Sequence, residues 1–100
     1  MIFKKTSSAD ERMVLKVPYI VKREKEGFVV ECIDLNIVTQ GDTLREARKN
    51  VIEAITLHFQ SAEELGILDQ ELEKLGVVKK NRRLEMAPRE LGSASIEIPC

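Results

Sequence analysis

The sequence predicts an α+β domain in which a three-stranded antiparallel meander carries a helix on one face, and three features carry that prediction. Two β-prone runs, "YIVK" and "FVVECID", are joined by the polar, glycine-ended "EKEG". A shorter run, "IVTQ", follows the break "DLN". A long amphipathic pattern then starts directly after Gly-Asp-Thr. One hundred residues supply a single hydrophobic core with little chain left for a second. Apolar residues at 43% and charged residues at 33% give a globular balance with a well-solvated surface. A formal net charge of -1 exerts no general pull on nucleic acid, so any such role requires a local basic patch.

Residues 1–12 read as a mobile polar arm and 13–100 as one domain. Pro18 cannot donate to a ladder, which places the first strand at Tyr19 to Lys22. Gly27 closes the hairpin turn, and in the second strand Phe28, Val30 and Cys32 point one way while Val29, Glu31 and Ile33 point the other. After the third strand, Gly41 allows the turn, Asp42 follows it, Thr43 is the N-cap and Glu46 completes a capping box. Along the helix Leu44, Ala47, Val51, Ala54, Ile55, His58, Ala62 and Leu65 fall on one stripe, which predicts contact with the sheet. Arg45, Glu46, Lys49 and Glu53 form the solvated side. Ile52, Leu57 and Phe59 lie outside the stripe and mark candidate contacts with the following helix or a second chain.

Gly66 ends the helix, and "ILDQELEKLG" predicts a short second helix from Asp69 to Leu75, capped by Asp69 and closed by Gly76. "VVKKNRRLEMAPRELG" reads as a basic connection, and the alternation at Ile96 and Ile98 predicts a C-terminal fourth strand. The resulting order, β-β-β-α-(α)-β, is that of a two-layer sandwich.

Little in the sequence points to catalysis. The single histidine, His58, lies on the helix's apolar stripe with no Ser, Cys or carboxylate at a recognisable spacing, and reads as a core or interface residue satisfied by a hydrogen bond. Glu31 and Asp34 are acids on or just after the second strand, but the first strand as predicted carries none, so converging carboxylates for two metal ions are not expected. Cys32 and Cys100 stand far apart without a CxxC or histidine partner, indicating neither a metal site nor a disulfide framework. No cofactor site is expected. Lys79, Lys80, Arg82 and Arg83 form a basic run that could meet phosphates, although no aromatic is interleaved to stack on bases. No signal peptide or membrane span is read, which predicts a cytoplasmic protein.

The stretch "YIVKREKEGFVVECIDLNIVTQGDTLREARKNVIEAI" resembles the HicB-like antitoxin family, small proteins with a partial ribonuclease H fold. The matching features are Tyr19 to Val21, Gly27, Asp34 with Leu35, Thr39 to Thr43, and Glu46 with Ala47, within a best-matched core of residues 19–65. The family's proline-containing turn is replaced here by Ile33 and Asn36. The resemblance implies a degenerate ribonuclease H-like core without catalytic carboxylates, self-association into a dimer or tetramer, and binding of a small basic HicA-type mRNA-cleaving toxin. Many relatives append a helix-turn-helix or ribbon-helix-helix domain. Neither pattern is seen here, so the resemblance does not extend to operator binding. Two other roles are compatible with the sequence: an orphan homo-oligomer without a toxin, and a residual nuclease or nucleic-acid binder resting on fold analogy and the basic run.

Overall fold

Pairing starts two residues after Pro18, where backbone donors become continuous. A computed structural model describes residues 14–81, 83–89 and 92–99. In chain order it contains β1 (Ile20–Glu24), β2 (Gly27–Cys32), a 3₁₀ turn (Ile33–Leu35), β3 (Ile37–Gly41), α1 (Leu44–Glu64), α2 (Leu68–Lys74), β4 (Val77–Lys80) and β5 (Arg83–Met86). The expected N-terminal arm lies outside the described residues.

The three strands form an antiparallel sheet in the order β1-β2-β3. Its register sets Val21 opposite Val30 and Val30 opposite Thr39, so one face collects Val21, Phe28, Val30, Cys32 and Ile37. That face is covered by α1. Val30, Cys32, Ala47 and Val51 are fully buried between the layers, with Val17, Tyr19, Leu35 and Ile55 packed around them. The architecture is α+β as predicted, with an additional two-stranded sheet formed by β4 and β5.

The N-cap is the residue the sequence prescribes: the Thr43 Oγ1 accepts the Glu46 backbone N–H at 3.1 Å, which is the N-cap half of the expected capping box. It ends in a Schellman motif, in which the Gly66 N–H donates to the Glu63 carbonyl, the Ile67 N–H donates to the Ala62 carbonyl, and Gly66 adopts φ 74°. Only its first part lies on the sheet. A helix of 21 residues is about 31 Å long, whereas a five-residue strand spans about 17 Å. The last turns overhang, and Leu65, which shares the sheet-facing stripe, is therefore 73% exposed. Ala62 is buried near this overhanging end, where α1 meets α2.

The C-terminal half departs from the sequence reading in three ways. The second helix starts earlier than expected, with Ile67 at the cap position and no side-chain cap, so Asp69 falls in the first turn. There an acid favours the helix dipole without capping it. The segment read as a basic connection is the β4–β5 hairpin, with Asn81 at φ 55° supplying the turn. Residues 92–99, where a fourth strand was expected, form no strand, and Ile96 and Ile98 are 70% and 71% exposed. Alternation alone does not make a strand.

Candidate functional site

The joint between β3 and α1 is built on two glycines that touch through their backbones. A Cβ on Gly41 would lie 2.5 Å from the Ala47 nitrogen, and a Cβ on Gly27 would lie 2.5 Å from the Gly41 carbonyl oxygen. Gly27 also needs its glycine for φ 139°, whereas at Gly41 close approach is the reason. The turn residue read from the sequence is thus the last residue of β3, pressed against the first turns of α1. Around this contact Glu24, Glu26, Asp42 and Glu46, with Gly27, Phe28, Val29, Gln40 and Gly41, line an open groove of about 470 Å³. Glu24 belongs to β1, so the first strand is longer than predicted and does carry an acid.

Among the described residues, no helix or strand covers the sheet face opposite α1. In the register, Ile20 and Val38 flank Glu31, while Lys22 and Gln40 flank Val29. Ile20, Val38 and the neighbouring Ile33 are 47%, 63% and 67% exposed. An ion pair crosses this face, Lys22 Nζ to Glu31 Oε1 at 3.3 Å. The face can exclude water from an apolar partner surface and orient it through one charge of each sign. Period-two alternation carried through the antiparallel register could have identified Ile20 and Val38, but pairing register is not visible in one sequence.

The three helix residues singled out from the sequence do not make one patch. Ile52 and Phe59 share a flank of α1, roughly 80–100° from Val51, and Leu57 lies roughly 120° to the other side. Ile52 and Leu57 are exposed, and Phe59 is half-buried with its ring edge-on to His58 at 5.4 Å.

His58 has a partner that spacing did not reveal. Its Nε2 lies 3.3 Å from Glu71 Oε2 on α2, and Lys74 Nζ approaches the other oxygen of Glu71 at 3.5 Å. This polar contact ties the overhanging part of α1 to α2. Asp34 is held by Arg89, 55 residues away in the chain, through a two-pronged contact with one arm at 2.9 Å. The hydrogen bonds from Arg89 hold the Asp34 carboxyl below its ordinary range, and Asp34 in turn raises the guanidinium. Glu31 and Asp34 thus each engage a cation. Cys32 is buried, and burial pushes its thiol up, away from the reactive thiolate. Cys100 lies outside the described residues.

Among the described residues, no group of three or more His, Cys, Asp and Glu side chains is gathered to hold a metal ion. No helix among them is long and apolar enough to cross a membrane. In the basic run, Lys79 and Lys80 end β4 and Arg83 begins β5, while Arg82 lies outside the described residues.

Comparison of the chain with protein-family models, with curated proteins and with solved structures returned no match. The HicB-like resemblance therefore rests on the sequence motif itself.

Proposed function

We propose that this chain is a non-enzymatic, cytoplasmic protein-binding module of the HicB-like antitoxin type, which self-associates and binds and neutralises a small basic HicA-type mRNA-cleaving toxin. The observation that carries the protein-binding part is the sheet face opposite α1, which no described element covers and on which Ile20, Ile33 and Val38 are exposed. A two-layer domain that leaves branched apolar side chains on its open face gains free energy when a second surface covers them, at about 25 cal/mol per Å² removed from water. The toxin-binding part rests on the motif from Tyr19 to Ile55.

The fold is consistent with a scaffolding role. Cys32 and Val51 are committed to the core, and Glu31, Asp34 and His58 each have an identified polar partner. The decisive experiment is purification of the tagged protein from its native cells, mass spectrometry of companions, and an RNA-cleavage assay on any small basic protein recovered. A stoichiometric ribonuclease silenced in the complex sustains the reading. A homo-oligomer without a companion refutes the toxin and leaves the orphan alternative; metal-dependent RNA cleavage by the chain alone refutes the non-enzymatic assignment.

A further inference from the structure

We infer that the β4–β5 hairpin is a contact surface for the phosphate backbone of a nucleic-acid duplex, with Lys79, Lys80 and Arg83 as its contacts. The surface is separate from the open face of the three-stranded sheet, and it does not rest on the toxin-binding proposal.

The first observation is the register. Lys80 is directly opposite Arg83 at the pair that closes the hairpin, and Lys79 is opposite Leu84. Like charges directly opposite one another destabilise a two-stranded sheet. A two-stranded sheet is marginal in water to begin with. Placing the repulsion at the closing pair is therefore a local conflict, and an external anion relieves it. The acid within the two strands, Glu85, approaches Lys80 at 3.8 Å, with both side chains substantially exposed, and gives partial relief.

The second observation is the mounting. Val77 at the base of β4 is 2% exposed and Leu72 of α2 is 4% exposed where helix and hairpin meet. The Ala87 N–H donates to the Gly76 carbonyl at 2.8 Å and ties the base together beyond the last strand pair. Leu84 and Met86 are half-buried, while Lys79, Lys80 and Arg83 are exposed. A short ribbon anchored at its base thus presents Lys80 and Arg83 side by side on one face of its tip, with exposed Lys79 one pair back on the other face, so that the charge flanks the ribbon on both sides.

The chemistry of the tip selects the partner. From Lys79 to Arg83 there is no aromatic side chain to stack on single-stranded bases and no apolar side chain to enter a lipid surface. What remains is charge on a two-stranded ribbon, a shape that the roughly 12 Å wide major groove of B-form DNA admits. The net charge of -1 and the acids Asp69, Glu71 and Glu73 on the adjoining α2 hold the contact to a local, weak one. Non-specific binding of this kind has Kd on the order of 10⁻⁴ to 10⁻⁶ M.

The test is fluorescence anisotropy of the full chain with short labelled DNA and RNA duplexes of the same sequence at several salt concentrations. Three phosphate contacts predict a slope of log K against log salt of about -2.7, an approximately 40-fold loss between ~50 and ~200 mM. Lys79→Gln alone should reduce the slope by about 0.9, and the combined Lys79→Gln, Lys80→Gln and Arg83→Gln variant should abolish binding while circular dichroism stays native. Glu85→Gln, which removes the internal competitor, should tighten binding. Preference for DNA identifies entry into the groove and equal binding of RNA identifies backbone contact alone; either sustains the inference. Absence of saturable binding to both duplexes at low salt overturns it. So does a triple variant that binds as tightly as the native chain, or binding confined to phosphatidylserine-containing vesicles.

Discussion

Replacing Gly41 by alanine tests the joint on which the main layer depends. The new Cβ would meet the Ala47 nitrogen at 2.5 Å, the Ala47 Cα at 2.9 Å and the Glu46 carbonyl carbon at 3.0 Å, all backbone atoms or the Cα itself. None belongs to a flexible side chain that could swing aside. Relief to the 3.4 Å of ordinary contact requires the start of α1 to move by about 0.9 Å, and a gap of 0.5–1 Å forfeits a quarter to a half of each dispersion contact it opens. The contacts at risk are those of Ala47 and Val51 with Val30 and Cys32, the fully buried residues of this layer. We expect a loss of about 3 kcal/mol, the upper part of the overpacking range. Two controls separate this cause from a general effect of removing glycine. Gly66→Ala adds a Cβ in open space at φ 74°, and should cost about 1 kcal/mol from the left-handed backbone alone. Gly92→Ala adds one in open space without that constraint, and should be close to neutral. Urea denaturation followed by circular dichroism measures all three; with m of about 1–1.5 kcal/mol/M, Gly41→Ala lowers the midpoint by about 2–3 M. If Gly41→Ala falls within about 1 kcal/mol of Gly92→Ala, the reasoning from close approach is wrong.

Thr43→Ala removes the acceptor for the Glu46 N–H and should cost about 1 kcal/mol, read as a midpoint shift in the same assay. Arg89→Gln removes the group that holds Asp34 ionised. Because the folded carboxyl is lowered, its stabilisation is present above the ordinary carboxyl range and lost as pH falls through the lower folded value. The midpoint gap between native chain and variant should therefore be open at neutral pH and close in strong acid, as a pH series of urea titrations would report. Val38→Lys places a charge on the open sheet face at a side chain that is 63% exposed. The thermal midpoint should hardly change while the proposed self-association, read by light scattering, weakens; unchanged association would exclude this face.

The meander and α1 were legible because their signals are local. Alternation, a proline before β1, a glycine hairpin and the Thr43 cap all act within a few residues, and each marks its element in the structure. The hairpin from Val77 to Met86 was not legible, because its turn uses Asn81 at positive φ and its strands carry charge where alternation looks for apolar residues. Ile96 and Ile98 show the opposite error, a strand pattern in a segment that forms no strand. The reason for Gly41 was also hidden. A turn glycine and a close-approach glycine look alike in sequence, and only the position of Ala47 separates them. The Asp34–Arg89 and His58–Glu71 contacts span 55 and 13 residues and depend wholly on tertiary placement.

The length mismatch between α1 and the sheet has a mechanical consequence. The first part of α1 belongs to the sheet layer, while its far end meets α2, which carries the hairpin. Besides the continuous helix, polar ties among the described residues that cross between these halves include His58 to Glu71 from α1 to α2, and Asp34 to Arg89 from the 3₁₀ turn after β2 to the segment after β5. The buried residues divide in the same way, with Val30, Cys32, Ala47 and Val51 in the sheet layer and Ala62, Leu72 and Val77 toward the hairpin end. Cutting the Asp34 tie should therefore loosen the hairpin half before the sheet half. In Arg89→Gln, hydrogen exchange should accelerate at the β4–β5 amides while the β2 amides keep their protection, the pattern of separate cooperative units. Equal acceleration in both would mean that the two halves unfold as one, and that α1 alone is enough to couple them.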